Sequence, residues 1–294
     1  MNRFILLLFC SFVSISLYSQ EDLLSLLNDS LDAKVKEPVT ATFKTTRVIN
    51  LPSIEQTAAG VFDFKISHRF GFLSSGVREF FGLDQASIRI GGEYGISKGL
   101  MIGVGRSSFE KTVDGYFKWR LFKQTSGYKS FPLTVSVFGG SAIKTVNTTP
   151  DRTNFFVNNL FYTGQLIIGS KLTEGLSLQI SPTVVHRNLT LTTNEKNDVL
   201  AVGAGGRIKL SKRTSLNAEY IYLLPNQISS EYKPSLSIGF DIETGGHVFQ
   251  LHASNSTSMI EKGYIAETVG DWGQGDIHFG FNISRVFTIR KPKN

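Results

Sequence analysis

The chain has 294 residues and a formal net charge of +7, with 28 glycines and 23 phenylalanines but one cysteine and eight prolines. Its mean hydropathy is close to zero, and beyond the first turn of sequence no run of about 20 apolar residues occurs, which excludes a bundle of membrane helices. A barrel is not excluded, because alternation averages hydropathy away, and no Lys/Arg run points to nucleic acid.

Met1 to Ser19 reads as a secretory leader: Arg3 is the positive start, Phe4 to Val13 the apolar core, and Ser19 a small residue before a cut at Gln20. Loss of Arg3 takes the charge from +7 to +6. Cys10 lies inside the leader, so the mature chain has no thiol and no disulfide. Leucines 23, 24, 26, 27 and 31 suit one face of a short amphipathic helix over Glu21 to Lys34, closed before Pro38. Ala41 to Leu51 is strand-like but precedes the regular pattern. Residues 20–59 are therefore expected to form a periplasmic arm or plug.

From Gly60 onward, runs of about ten residues alternate with period two. Val61 to Gly71 sets Phe62, Phe64, Ile66 and Phe70 against Asp63, Lys65, Ser67 and Arg69. Ser87 to Lys98 sets Ile88, Ile90 and Tyr94 against Arg89 and Glu93. Gly99 to Phe109 carries Leu100, Ile102 and Val104; Tyr116 to Gln124 sets Phe117, Trp119 and Leu121 against Lys118 and Arg120; Leu133 to Lys144 opens with Leu133, Val135 and Val137. Asn158 to Leu172 includes Gln165 and Lys171 on its polar side, and Leu176 to Arg187 includes Gln179 and Arg187. Pro182, in mid-strand, predicts a bulge. Leu200 to Leu210 sets Val202 and Ile208 against Arg207 and Lys209, and Ser215 to Leu224 sets Tyr220 and Tyr222 against Asn217 and Glu219.

The clearest register is in Leu236 to Ala253. A Gly245-Gly246 turn, whose types need positive φ, pairs Ile242 with Phe249, Phe240 with Leu251 and Ile238 with Ala253. The other face then pairs Glu243 with Val248, Asp241 with Gln250 and Gly239 with His252. Ile277 to Phe287 closes a series of twelve.

Short turns near 97–99, 173–175, 211–213 and 245–246 alternate with longer links near 72–86, 145–157, 188–198, 225–234 and 255–275. The links near 110–115 and 124–131 break that rule. An apolar face on every strand, opposite repeated charges, does not suit a sandwich, where the charges would meet a dry core. It suits lipid outside and a polar lumen inside. The expected fold is all-β: a transmembrane antiparallel up-and-down β-barrel over residues 60–289, followed by a basic tail, 290–294. Phe70, Tyr94, Tyr162, Tyr220, Tyr222, Phe249 and Phe287 suit interfacial girdles.

The segments Ile66-Ser-His-Arg-Phe-Gly, Phe81-Gly-Leu-Asp-Gln-Ala, Gly103-Val-Gly-Arg-Ser-Ser-Phe, Ser181-Pro-Thr-Val-Val-His-Arg-Asn, Gly239-Phe-Asp-Ile-Glu-Thr-Gly-Gly-His-Val-Phe-Gln-Leu and Gly280-Phe-Asn-Ile-Ser-Arg-Val-Phe resemble a family of outer-membrane barrels from Bacteroidota-type bacteria, the domain of unknown function numbered 5777. The resemblance runs from about Ala41 to Phe287. It implies the barrel and an outer-membrane location, and brings no activity, ligand or catalytic residue. The last strand, ending on Phe287, also resembles the signal read by barrel-assembly machinery.

On this assignment the lumen carries Lys65, Arg69, Arg89, Lys118, Arg120, Lys171, Arg187, Arg207 and Lys209, opposed by Asp63, Glu93, Glu219, Asp241 and Glu243. As structure, they would pair across strands as a ladder, with Arg207 and Lys209 near Asp241 and Glu243. As function, the excess of cations would favour anions in a narrow pore. Asp241 and Glu243 share a face, but acid–base catalysis is the weaker reading of them. Histidines 68, 186, 247, 252 and 278 have no metal-ligand spacing, and no nucleophile motif is present. Neither enzyme activity, metal nor cofactor is expected. The expected partners are the outer-membrane bilayer, the assembly machinery, and a small solute or an envelope protein. Two functions follow: a pore for a small polar or anionic solute, or a non-conducting accessory barrel of an envelope complex.

Overall fold

The computed structural model describes residues 35–146, 155–190, 192–193 and 195–290. The leader, the helix expected over 21–34 and residues 291–294 lie outside them.

Two compact units are distinguished. In the smaller, which among the described residues holds 35–39 and 124–132, strand β1 (Lys36–Pro38) pairs antiparallel with β6 (Thr125–Gly127). The larger is a closed barrel of twelve strands: β2 (Val61–Phe72), β3 (Ala86–Gly95), β4 (Leu100–Ser107), β5 (Thr112–Phe122), β7 (Thr134–Lys144), β8 (Leu160–Lys171), β9 (Leu176–Arg187), β10 (Asp198–Lys209), β11 (Thr214–Leu223), β12 (Leu236–Thr244), β13 (His247–Ser254) and β14 (His278–Thr288). Each strand pairs antiparallel with its neighbours in sequence, and β14 closes on β2. Closure leaves no free edge, the condition for spanning a bilayer with strands.

All six predicted pairs of the β12–β13 hairpin occur, from Ile238↔Ala253 to Glu243↔Val248. Gly245 and Gly246 both have positive φ, as a two-residue turn requires. No bulge occurs at Pro182: the register with β10 runs straight through Val202↔Pro182, and that with β8 is the same before and after it. Proline lacks one donor but keeps its carbonyl, so the strand passes without an inserted residue. The register shifts lie elsewhere, between Arg120 and Phe122 and between His278 and Gly280.

The outer face carries the expected band, with Ile90, Trp119, Tyr162, Leu178, Tyr222, Phe240, Leu251 and Phe287 all exposed. The inner face is two-sided. Every buried apolar side chain that the wall turns inward comes from β4 to β11, among them Met101, Phe138, Ile167, Val185, Val199 and Ile221. From β12 round to β3 the wall offers Asp241, Gln250, Asn282, Lys65, Arg69 and Glu93 instead.

The interior is filled. Residues 40–59 run inside the barrel, and the link between β13 and β14 folds in behind a short helix, Glu261–Ala266, all of whose residues are buried. Phe43, Val48, Leu51 and Ile54 share one apolar cluster with the β4–β11 wall and with Tyr264, Ile265 and Ala266 of that helix. Leu51 is fully buried, and a leucine so placed contributes roughly 1.5–3 kcal/mol.

Candidate functional site

The site is the hairpin Thr45–Ser53 and the wall that holds it. Its two arms are joined by Ser53 N donating to Thr46 O at 2.9 Å, by Val48 N donating to Leu51 O at 2.8 Å, and by an antiparallel bridge between Arg47 and Pro52. Pro52 ends the turn naturally, since it has no amide to leave unsatisfied.

The tip meets a carboxylate. Glu219, 2 % exposed on β11, accepts the backbone amides of Ile49 (3.0 Å), Asn50 (2.9 Å) and Leu51 (2.9 Å). Successive amides turned on one anion are a strong arrangement, because each bond is charge-assisted. The tip carbonyls are satisfied from the polar wall: Gln250 Nε2 donates to Val48 O at 2.6 Å and Asn282 Nδ2 to Ile49 O at 3.3 Å. Asn50 Oδ1 accepts from Arg69 Nη2 at 2.7 Å, and Asn50 Nδ2 donates to Ser237 Oγ at 3.1 Å.

A cation holds the base. Lys118 Nζ donates to Thr46 O (3.1 Å), Ser53 O (2.8 Å) and Glu55 O, gripping both arms. Gln179 accepts from Ile54 N at 3.2 Å and donates to Pro52 O at 2.9 Å. Arg207 Nη1 donates to Ala41 O and Thr42 O at 2.9 and 3.1 Å. Thr46 Oγ1 donates to Glu93 at 2.5 Å, and Glu93 also takes Tyr116 OH at 2.6 Å and pairs with Lys65 at 3.1 Å.

Space for the hairpin comes from glycines on the inner face. A Cβ at Gly203 would stand 2.9 Å from both Leu51 methyl carbons, one at Gly205 3.0 Å from a Val48 methyl, and one at Gly169 2.9 Å from an Ile54 methyl. The glycines of β8 and β10 are thus sockets for the side chains of Val48, Leu51 and Ile54.

Of the residues expected in the lumen, Asp63, Lys65, Arg69, Arg89, Glu93, Lys118, Arg187, Arg207, Glu219 and Asp241 are buried inside. Arg120, Lys171 and Glu243 are half-buried at the end carrying the short turns, where Lys171 pairs with Glu174 at 2.8 Å and Glu243 with Lys44. Lys209 is exposed, not inside: it is the last residue of β10, and the chain is already leaving the wall. The cross-strand ladder forms between Lys65 and Glu93 on neighbouring strands but not around Arg207 and Asp241. Asp241 bonds Gln250 at 2.6 Å and Arg207 serves the hairpin. Arg89 pairs with Asp114, and Arg187 with Glu195 at 3.0 Å. Asp114 was missed because β5 begins four residues earlier than its apolar pattern. Lys44, Arg47, Glu195 and Glu261 were missed because nothing in an alternating pattern says what a link inserts.

Among the described residues, two cavities lie on the β12–β2 side, and a small one of about 10 Å³ lies between β5, β7, β8 and the loop helix. Of the first two, one of about 520 Å³ opens between Phe43, Glu55, Val61, Asp63, Val248 and Val286 near the short-turn end. The other, about 30 Å³, lies deeper, between Arg47, Lys65, Ser67, Gln250 and Asn282. Among the described residues no group of three or more His, Cys, Asp or Glu gathers as a metal site. His252 and His278 are buried on adjacent strands but sit opposite Gly280 and Ser254 respectively.

Beyond the strands, Glu110 is held below the ordinary carboxylate range: burial opposes this, but Lys262 and Lys144 outweigh it. Burial pushes Glu267 up, against Lys262 at 2.5 Å.

A closed antiparallel barrel with an apolar outer band and charged side chains within is a transmembrane β-barrel of the outer-membrane type. Its interior sets it apart from an open channel. The chain belongs to the family described as the membrane bound beta barrel domain (DUF5777), whose model matches residues 43–287. No curated protein matches it in sequence. Among solved structures it is similar to a NanC porin (8% identity over 76% of this chain and 98% of that one, TM-score 0.48). It is also similar to a KdgM porin (9%, 77% and 99%, 0.45) and to the Acinetobacter baumannii outer membrane protein Omp33 (10%, 79% and 100%, 0.39).

Proposed function

We propose that the chain is an outer-membrane barrel, exported with a leader cut before Gln20, whose short turns face the periplasm and whose hairpin Thr45–Ser53 gates a narrow pore for small polar solutes. The observation that carries this reading is the wall behind the hairpin. Once the hairpin leaves, Glu219, Lys118, Arg69, Arg207, Gln179 and Gln250 are exposed to the lumen, and such a lining suits water and polar solutes. The largest cavity described above lies on the β12–β2 side.

An anion preference has less support than a count of charges suggests. Lys118, Arg69 and Arg207 are engaged by the hairpin, and Lys65, Arg89 and Arg187 are matched by Glu93, Asp114 and Glu195. The solute class is therefore polar, with neither sign preferred.

The second reading, a non-conducting accessory barrel, is favoured by the apolar cluster that joins hairpin, wall and loop helix. Planar-bilayer recording separates them. The gated pore predicts a mostly silent full chain and a several-fold higher conductance when residues 41–58 are replaced by a short Gly/Ser linker. A correctly folded replacement that stays silent favours the accessory barrel.

A further inference from the structure

We infer that the hairpin Thr45–Ser53 and the inward link 255–277 are released together, with the ion pair Arg47–Glu261 coupling the long-loop end of the barrel to the gate. The inference rests on the gate reading above and adds its control.

Arg47 Nη1 donates at once to Asn50 O, at 2.7 Å, and to Glu261 Oε1, at 2.6 Å. The first bond closes the hairpin turn; the second reaches the loop helix. The two side chains are only 13% and 7% exposed, and Glu261 has no other ion pair among the described residues. Removing one partner of the pair takes the counter-charge and its hydrogen bond from the other, which is unfavourable. If the hairpin withdraws alone, Glu261 is stranded. If the link swings out alone, Arg47 is stranded. The shared apolar cluster adds to this, since Tyr264 and Ile265 pack in the same core as Val48, Leu51 and Ile54.

The link also holds the barrel. Lys262 bonds Glu110 of the β4–β5 link at 3.3 Å, and its ammonium lies 4.2 Å from the centre of the Phe161 ring on β8. Thr257 bonds His278 of β14 at 2.8 Å, and Asn255 Oδ1 accepts from Leu236 N of β12 at 2.8 Å. A molecule that displaces the link from these contacts therefore unlocks the hairpin, and by reciprocity a pull on the hairpin loosens the link. The fold carries a line of coupling from Glu110 on one link, through Lys262, Glu261 and Arg47, to the tip held by Glu219.

Hydrogen–deuterium exchange on the full chain in lipid nanodiscs tests this. Glu261→Gln is expected to speed exchange at least tenfold in both 48–54 and 261–267, with the strands unchanged. The charge-swapped double variant Arg47→Glu/Glu261→Arg is expected to recover most of the protection in 261–267 and part of that in 48–54, since a glutamate at 47 cannot donate to Asn50 O. If Glu261→Gln does not assemble, Glu110→Gln, acting from the wall side, is expected to loosen both segments too. Faster exchange in one segment with no change in the other overturns the coupling, as does equal loosening of every strand. Conductance of the same samples keeps the two readings apart. Joint loosening in a silent barrel supports the coupling and removes the gate. Raised conductance without joint loosening leaves the gate and overturns the coupling.

Discussion

The Glu219 carboxylate accepts the backbone amide of Leu51 at 2.9 Å, inside a barrel, from a residue 168 positions earlier in the chain. A buried anion is thus satisfied by main chain, with the neighbouring amides of Ile49 and Asn50 as further donors. The expected result of Glu219→Gln is a hairpin weakened by on the order of 2 kcal/mol, since bonds to a charged group are worth roughly 1.5–3 kcal/mol each and an amide oxygen keeps part of them. Glu219→Ala should cost more, leaving three amides without an acceptor. Limited proteolysis at 46–52 in the assembled barrel measures both; equal resistance in all three proteins would remove Glu219 as the anchor.

Lys118 acts on the other end of the same hairpin. Lys118→Met keeps the chain length but strips three carbonyls of their donor, and an unsatisfied buried acceptor costs about 1–3 kcal/mol. The arms should part at Ser53–Glu55 before the tip does. Site-resolved amide exchange reads that order, and simultaneous release of tip and base would contradict it.

Gly203→Val places branched carbon where Leu51 already stands. Overpacking of this kind costs typically about 1–3 kcal/mol, so the unfolding midpoint followed by the heat-dependent gel shift should fall. Adding Leu51→Ala should return part of the loss. A double variant no better than the single one would show that the socket is not what Gly203 provides.

Acid should loosen the loop helix through Glu110. Its folded carboxyl is held below the ordinary 4.5, against burial, by Lys262 and Lys144. A depressed carboxyl contributes stability that is complete above about 4.5 and is lost as the pH falls through the folded value. Glu267, on the same Lys262, has the opposite sign, because burial holds its carboxyl high and protonation favours the folded form. Protection of 261–266 should therefore fall on acidification from pH 5 to about 3 in the native chain, and fall less in Glu110→Gln. Identical profiles would exclude Glu110 as the sensitive group.

The wall was legible because a strand's period of two fixes which side chains share a face. That rule placed Asp63, Lys65, Glu93, Glu219 and Asp241 inside and gave six of the eight pairs of the β12–β13 hairpin. It says nothing about what lies against the inner face. The three partners of Glu219 are backbone amides, which carry no sequence signature. Lys209 failed for another reason: alternation continues to the last residue of β10, while the side chain there already reaches solvent. The strand glycines 203 and 205 suit close packing beneath large neighbours, and those neighbours are Leu51 and Val48, with Gln179 of β9 also beside Gly205.

Residues 40–59 leave the ribosome before any barrel strand, yet the bonds of the hairpin tip end on strands made late. Leu51 waits 168 residues for Glu219, Val48 waits 202 for Gln250, and Ile49 waits 233 for Asn282. Contacts so distant form late, because loop closure must come before they reward it. The first piece synthesised is therefore the last to settle. Assembly has to keep a segment with bare amides and five exposed large hydrophobes, Phe43, Val48, Ile49, Leu51 and Ile54, from pairing with the wrong strand until β14 has met β2, and any change that speeds closure relative to docking would trap the segment outside.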